Sequence, residues 1–173
     1  TFYSRNRVYA NFGFDTFTSE EYMNQLEYNP LDWAKDSALT GEILKALQST
    51  AGKDLVFTVS VQPHGKYPTE PIPGAETIAV SGIEDEARRC GFEYYLAQLR
   101  ETDAFIGELT STLGSFKEPT VVVFYGDHLP SLQITQDELS RGTVQSTEYV
   151  IWSNFPMRRE TRDIQAYQLT ALV

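Results

Sequence analysis

Both histidines of the chain follow a stretch of sequence that is typical of a β-strand. His64 comes directly after the β-branched and aromatic run Asp54–Gln62, and His128 closely follows a second predicted strand over Glu118–Gly126. In open α/β sheets, ligands bind outside the carboxyl ends of the strands. We therefore expect a functional site at these strand ends, with an imidazole at each.

The neighbouring side chains Asp127 and His128 offer one carboxylate oxygen and one imidazole nitrogen to a metal ion. This mixed ligand set suits zinc or manganese better than calcium, which prefers oxygen ligands alone. Two ligands do not make a tight site, so other residues would have to complete it. In the alternative interpretation, Asp127 caps a turn and His128 packs or hydrogen-bonds without a metal.

An anionic substrate could be recognised by residues outside this pair. His64 could donate a hydrogen bond to such a substrate or protonate a leaving oxygen. Arg5, near Tyr3, could bind the oxygens of phosphate or sulfate with its guanidinium group. Taken alone, a loop histidine or a terminal arginine is more often a solvated side chain. Cys90 has no neighbouring base, which favours a buried and inert thiol over a nucleophile.

The elements that would position these residues follow from hydrophobic periodicity. It predicts helices over Ser37–Gln48, Gly91–Leu113 and Ile164–Val173, and strands over Asp54–Gln62, Glu118–Gly126 and Tyr149–Trp152. We expect Asp36 to be the N-cap of the first helix. The apolar stripe expected on the second helix comprises Phe92, Leu96, Leu99, Ile106 and Leu113. This order of elements predicts an α/β sandwich around a mostly parallel sheet.

Composition excludes several classes of function. The 173 residues include 24 acidic and 14 basic side chains, and the formal net charge of -10 argues against nucleic acid or anionic lipid as the main partner. No stretch approaches the roughly 20 apolar residues that a membrane-spanning helix needs. The single cysteine excludes an intrachain disulfide and a cysteine-based zinc site.

Several short motifs occur in an order that is known from one enzyme family. They are Tyr3-Ser4-Arg5, Tyr9, Gly13–Phe17, Trp33, Pro63–Tyr67, Thr102-Asp103 with Ile106-Gly107, Val121–Pro130 and Ile151–Asn154. In these residues the chain resembles the extracellular domain of the lipoteichoic acid synthase group, over nearly its whole length. That group consists of sulfatase-like phosphoglycerol transferases of the alkaline phosphatase superfamily.

The resemblance implies a fold and a set of site residues. The fold is the alkaline phosphatase or sulfatase-like α/β sandwich, with a mostly parallel central sheet flanked by helices. Asp127 and His128 match two ligands of one divalent ion, Mn²⁺ first and Mg²⁺, Zn²⁺ or Ca²⁺ as alternatives. His64 matches a histidine that contacts the phosphoglycerol group, and we expect it to be the catalytic residue of this chain. Tyr3 and Arg5 match an aromatic residue and an arginine that bind the same headgroup.

The resemblance also implies residues that this chain lacks. The family's threonine nucleophile and glutamate ligand, and its membrane helices, would precede Thr1. We therefore expect residues 1–173 to be the C-terminal portion of one catalytic domain, inactive alone and completed by an N-terminal half. The parent would be anchored by upstream transmembrane helices and act at the extracellular face of a bacterial cell membrane.

The implied reaction is a two-step transfer of phosphoglycerol. The threonine attacks the phosphorus of a phospholipid headgroup similar to phosphatidylglycerol, diacylglycerol leaves, and an acceptor hydroxyl on glycerol phosphate or a glycan then takes the group. Two alternatives remain open. One is a sulfatase or phosphodiesterase of the same fold, and the other is a catalytically incomplete binding module.

Overall fold

The computed structural model describes residues 2–24 and 26–172. They fall into two compact units, Thr1–Phe105 and Ile106–Val173. We describe each unit by itself. That residues 1–173 form the C-terminal portion of one catalytic domain stays a prediction. Among the described residues, no helix combines the length and the apolar character that crossing a bilayer requires.

The first unit begins with a short helix that the sequence did not predict. A 3-10 turn over Phe2–Ser4 leads into α1, Arg5–Asn11. The ring of Tyr9, on α1, lies 5.5 Å from that of Phe14, 5.8 Å from that of Phe17 and 5.6 Å from that of Phe57. Aromatic packing thus replaces the apolar helical stripe that periodicity would detect. A second 3-10 turn covers Glu20–Tyr22.

Helix α2 spans Ser37–Gln48, as predicted. Asp36 occupies the N-cap position, as expected, but it has helical backbone angles (φ -66°, ψ -18°) and its side chain makes no capping bond. Its carboxylate instead accepts hydrogen bonds from the backbone N–H groups of Val61 and Gln62 and from the hydroxyl of Thr102. Distant parts of the chain therefore compete successfully with the local cap.

Helix α3 spans Glu86–Leu113 and so begins earlier than the predicted Gly91. Its buried face also differs from the expected apolar stripe. Leu99 is 39% exposed, whereas Tyr94, Ala97 and the polar Gln98 and Thr102 are buried. Counting only apolar residues missed this face because two of its positions are polar and find hydrogen-bond partners inside the protein.

The sheet of the second unit pairs β1, Val121–Tyr125, with β2, Tyr149–Ser153. The two strands are antiparallel, with Val121 opposite Ser153 and Tyr125 opposite Tyr149. This pair is therefore an antiparallel part of a sheet that was expected to be mostly parallel. A 3-10 turn over Gln136–Glu138 lies between the strands, and another over Ala166–Ala171 replaces the predicted helix Ile164–Val173.

The predicted strand Asp54–Gln62 is not part of a β-ladder formed by the described residues. Its alternate apolar side chains Leu55, Phe57 and Val59 are exposed by 81%, 47% and 40%. The composition of the segment is nevertheless that of a strand. A strand needs a hydrogen-bonded neighbour as well as suitable side chains, and the described residues do not supply that neighbour.

Asn154 fixes the approach to β1. Its side-chain oxygen accepts the backbone N–H of Thr120 at 2.8 Å, and its amide nitrogen lies 3.2 Å from the carbonyl oxygens of Leu113 and Phe116 and 2.9 Å from that of Glu118. One side chain thus joins the end of β2 to the end of α3 and to the segment that leads into β1. These bonds fix the backbone that leads into β1, and so they help to position β1 and the residues that follow it.

Candidate functional site

The His64 loop, Pro63–Tyr67, is a closed turn. The backbone N–H of His64 donates to the carbonyl oxygen of Val61 at 2.9 Å, and the hydroxyl of Tyr67 donates to that of Pro63, also at 2.9 Å. The ring of Tyr67 packs edge-on against Tyr95 of α3 at 5.6 Å. Burial, with a smaller contribution from Tyr95, raises the pKa of Tyr67 to about 12. Tyr67 therefore keeps its proton and can donate this bond throughout the neutral range.

The His64 ring is exposed, and one of its nitrogens is committed. Nδ1 lies 2.6 Å from the carbonyl oxygen of Gly65, and since a carbonyl only accepts, Nδ1 carries the proton. With the proton on Nδ1, Nε2 is the basic nitrogen of the neutral ring. The Trp33 ring meets the His64 ring edge-on at 4.9 Å. A pocket of about 340 Å³ lies beside them, lined by Leu31, Trp33, Gly65 and Lys66.

Asp36 lies beneath this loop and is only 1% exposed. Its Oδ1 accepts the N–H groups of Val61 at 3.1 Å and Gln62 at 3.3 Å, while its Oδ2 accepts the hydroxyl of Thr102 at 2.8 Å. Burial raises the pKa of the Asp36 carboxyl, and the bonds from Thr102, Val61 and Gln62 oppose that rise. The carboxylate is thus costly to bury and is retained by three donors.

The side chain of Gln62 hydrogen-bonds to the backbone of Asp36 and connects the loop to α3. Its Oε1 accepts the backbone N–H of Asp36 at 2.9 Å, and its Nε2 donates to Gln98 at 3.1 Å and to Glu101 at 2.7 Å. Lys35 lies 3.0 Å from the same Glu101 carboxylate oxygen. Burial tends to raise the pKa of Glu101, but the bonds from Lys35 and Gln62 and the nearby positive charges outweigh it and lower that pKa.

Asn29 attaches the Trp33 segment to the same cluster. Its Oδ1 accepts the N–H groups of Leu31 at 2.9 Å and Trp33 at 3.0 Å, and its Nδ2 donates to the backbone carbonyl of Gln62 at 3.0 Å. The buried side chains that share these bonds form what we call the Asp36 cluster: Asn29, Asp36, Gln62, Gln98 and Thr102. The cluster fixes both the segment that carries Trp33 and the segment that carries His64.

Asp127 and His128 follow β1 in the second unit, and both are exposed. The Nδ1 atom of His128 lies 2.8 Å from the carbonyl oxygen of Leu129, so it carries the proton. Its Nε2 atom lies 3.7 Å from Oδ1 of Asp127. The hydroxyl of Thr147 donates to the Gly126 carbonyl oxygen at 2.7 Å and fixes the backbone just before the pair.

The comparisons with known proteins identify the family. The family model described as Sulfatase matches residues 1–168. The chain belongs to the sulfatase family. Metal dependence is a property of the superfamily to which these enzymes belong.

This sulfatase-family chain resembles two curated proteins of Rhizobium meliloti (strain 1021). It is 34% identical over 131 residues to a putative cyclic β-1,2-glucan modification protein, and 24% identical over 139 residues to the capsular polysaccharide biosynthesis protein RkpI. The matches cover 76% and 79% of this chain but 20% and 23% of the relatives. The chain thus spans about a fifth of the length of the curated relatives that it matches.

A solved structure confirms the sulfatase-like α/β fold. Streptococcus pyogenes phosphoglycerol transferase GacH, in complex with sn-glycerol-1-phosphate, superposes with a TM-score of 0.67. The match covers 87% of this chain and 40% of that one, at 24% sequence identity. The expected fold family and the enzymatic nature of the family are therefore confirmed.

The predicted site residues of this sulfatase-family chain divide between the two units. Tyr3, Arg5 and His64 lie in the first unit and Asp127 and His128 in the second. Tyr3 is 79% exposed with a positive φ of 55°, and Arg5 begins α1. The roles assigned to these five residues stay predictions. Cys90 is buried, and burial is the main cause of the raised pKa of its thiol, which agrees with an inert cysteine.

Asp127 and His128 fit part of a cation site. Their donor atoms stand 3.7 Å apart, close to the separation of two neighbouring ligands of one metal ion. The Leu129 carbonyl binds Nδ1 of His128, which is the kind of bond that a metal-binding histidine makes with its other nitrogen. Over residues 2–24 and 26–172, no three His, Cys, Asp or Glu side chains gather as a complete site. The pair therefore suits two ligands of a larger set.

Proposed function

We propose that this chain is part of an enzyme that transfers phosphoglycerol from a membrane phospholipid to a glycan. The donor would carry a headgroup like that of phosphatidylglycerol, and the acceptor would be a sugar hydroxyl. The observation that carries the proposal is the arrangement of His128, with Nδ1 bonded to Leu129 and Nε2 beside Asp127, in a chain of the sulfatase family. Such an arrangement is compatible with two ligands of a metal ion, and a bound metal ion can assist phosphoryl transfer.

The likeness to GacH supports phosphoglycerol over sulfate as the transferred group. That protein is a phosphoglycerol transferase and was solved with sn-glycerol-1-phosphate. The names of the curated relatives support a carbohydrate acceptor, because one concerns modification of a cyclic glucan and the other capsular polysaccharide biosynthesis. Further glycerol phosphate units, the acceptor of the lipoteichoic acid type, are the alternative.

The residues of this chain would divide the work between binding and proton transfer. Arg5 and Tyr3 would contact the headgroup, the guanidinium group through the phosphate oxygens. His64, whose Nδ1 is bonded to the Gly65 carbonyl, would use Nε2 to bind a phosphoryl oxygen or to exchange a proton with the leaving or entering hydroxyl. Asp127 and His128 would hold a divalent ion, Mn²⁺ first, which when bound withdraws negative charge from the phosphoryl group.

The proposal includes a place in the cell. A phosphatidylglycerol donor lies in a bilayer, so the enzyme would work at the extracellular face of the bacterial cell membrane, with upstream transmembrane helices and an N-terminal half of the same domain as its partners. The acidic surface, with its net charge of -10, would keep the chain from binding anionic lipid without a specific headgroup site.

The test uses the complete gene product that contains these residues, with phosphatidylglycerol vesicles and Mn²⁺. We expect diacylglycerol to be released by the wild type and by Asp137→Asn, a control that changes an exposed carboxylate of the same unit. His128→Gln, Asp127→Asn and His64→Gln should each reduce the rate by at least about 100-fold, as loss of a metal ligand or an acid–base group does.

The same preparation distinguishes the alternatives. Release of free glycerol phosphate without transfer would assign a phosphodiesterase, and cleavage of an aryl sulfate in its place would assign a sulfatase. Binding of sn-glycerol 1-phosphate without turnover would assign a binding module. If His128→Gln kept the wild-type rate, the proposed role of the Asp127–His128 pair would be wrong.

A further inference from the structure

We propose that Asp36 is a positioning residue that aims the imidazole of His64 at the substrate. This inference rests on the proposed function, since it assigns a part in the same reaction. Asp36 touches no reacting atom in the proposal. It would act through the backbone that carries His64, and its contribution to catalysis would be the orientation of that ring.

The first support is the short path between the two residues. Oδ1 of Asp36 accepts the backbone N–H groups of Val61 and Gln62, and the carbonyl oxygen of Val61 accepts the N–H of His64 at 2.9 Å. The peptide group between Val61 and Gln62 thus donates its N–H to Asp36 and accepts the N–H of His64 at its carbonyl. A change at Asp36 therefore reaches His64 through two hydrogen bonds and no intervening side chain.

The second support is that the bond is reciprocal. Gln62 returns a hydrogen bond to the backbone N–H of Asp36 at 2.9 Å, so each segment holds the other. Asn29 bonds the N–H of Trp33 and the carbonyl of Gln62, and the Trp33 ring rests edge-on against the His64 ring. The same cluster therefore sets the backbone under His64 and the wall beside it.

The third support is the energetic cost of burying a carboxylate at this position. Asp36 directly precedes α2, where an aspartate normally caps the helix, yet its side chain makes no capping bond. It is 1% exposed, and a buried carboxylate is destabilising unless donors surround it. The three donors that retain the buried carboxylate are the hydroxyl of Thr102 and the N–H groups of Val61 and Gln62, which directly precede the His64 loop.

The test compares three variants of the complete gene product. Asp36→Ala removes all three acceptor contacts, Asp36→Asn keeps the shape and one acceptor oxygen, and Thr102→Val removes only the bond from α3. Asp103→Asn is the matched control, because it makes the same carboxylate-to-amide change at an exposed position next to Thr102. Two readouts are measured per folded molecule, namely kcat and KM for phosphoglycerol transfer and the NMR signal of the His64 ring, assigned by its loss in His64→Gln.

We expect Asp36→Ala to lower kcat by about 10- to 100-fold, the loss that a misplaced catalytic group causes. Its His64 ring signal should shift and broaden, Asp36→Asn should restore kcat to within about threefold of the wild type, and Asp103→Asn should change neither readout. If Asp36→Ala fails to fold, Thr102→Val must show the same changes to a smaller extent. A variant with a lower melting temperature but unchanged kcat and His64 signal would overturn the inference.

Failure of the proposed function gives a different pattern. If the wild-type protein transfers no phosphoglycerol, the function assigned above is wrong, while the His64 ring signal still shows whether Asp36 orients the imidazole. If transfer occurs and the ring signal is unchanged in Asp36→Ala and in Thr102→Val, the function stands and the inference about Asp36 is refuted.

Discussion

Asn154 offers the most direct test of how the structure places the Asp127–His128 pair. Its side chain joins the end of β2 to the backbone at Leu113, Phe116, Glu118 and Thr120. Two substitutions separate its hydrogen bonds from its shape. Asn154→Ala removes every side-chain bond, and Asn154→Asp keeps the acceptor for Thr120 but turns the donor into a second oxygen.

The magnitude follows from the geometry. The amide group has two hydrogens for three carbonyl oxygens, so with the Thr120 contact it makes about three hydrogen bonds, each worth about 1 kcal/mol net. Asn154→Ala should therefore cost about 2–4 kcal/mol. Asn154→Asp should cost more at neutral pH, because a carboxylate oxygen would face three carbonyl oxygens, the farthest at 3.2 Å. Acid should recover part of that loss, since a protonated carboxyl donates.

The assay is hydrogen–deuterium exchange of peptides that cover Leu113–Tyr125, read by mass spectrometry. A loss of 2–4 kcal/mol in the local opening free energy predicts exchange faster by roughly 30- to 800-fold in Asn154→Ala. Asn24→Ala, which changes an exposed asparagine of the first unit, is the control and should leave these peptides unchanged. Equal exchange in Asn154→Ala and the wild type, or an aspartate that is milder than the alanine at neutral pH, would refute the reasoning.

Three further predictions concern the His64 loop and its supports. Tyr67→Phe removes the bond to Pro63 and should destabilise the fold by about 1 kcal/mol. Stability that depends on the raised pKa of Tyr67 is full below pH 10 and is lost as the pH rises through about 12. The melting temperature of the wild type should therefore approach that of the variant at alkaline pH. Burial raises the pKa of Asp36 above its ordinary 3.8. The stability that this shift contributes is full below the ordinary value and is lost as the pH rises through the folded-state pKa. The melting temperature of Asp36→Asn should therefore rise relative to that of the wild type from about pH 4 upward. The pKa of Glu101 is lowered, so the stability that its bond with Lys35 contributes is full at neutral pH and is lost as the pH falls below 4.5. The loss of unfolding free energy in Lys35→Met, measured by urea unfolding, should shrink over the same range.

Local sequence patterns were sufficient to predict several elements of the fold. Helix α2 agrees with its prediction at both ends, β2 ends one residue later than predicted, and β1 begins three residues later and ends one residue earlier than predicted. These segments have strong periodicity and clear breakers, and their own residues decide their conformation. The motifs were also sufficient for the family, because several weak patterns in a fixed order are more specific than any one of them.

Three of the remaining differences share one physical cause, which is that partners distant in sequence decide the outcome. Asp36 was expected to cap α2 and instead binds Gln62 and Thr102, and the strand-like segment Asp54–Gln62 lacks a pairing partner among the described residues. The sequence likewise gave no sign that Gln98 would be buried. A buried polar residue is recognisable only when its hydrogen-bond partners are known.

The measurement that tests the central proposal most directly follows the glycerol of the donor. The complete gene product is incubated with Mn²⁺, a cyclic β-glucan and phosphatidylglycerol whose headgroup glycerol carries a stable isotope. The mass of the glucan is then measured by mass spectrometry. The account predicts labelled phosphoglycerol on the glucan, with one diacylglycerol released for each group transferred and no transfer by His128→Gln. An unlabelled glucan alongside labelled glycerol phosphate in solution would contradict it.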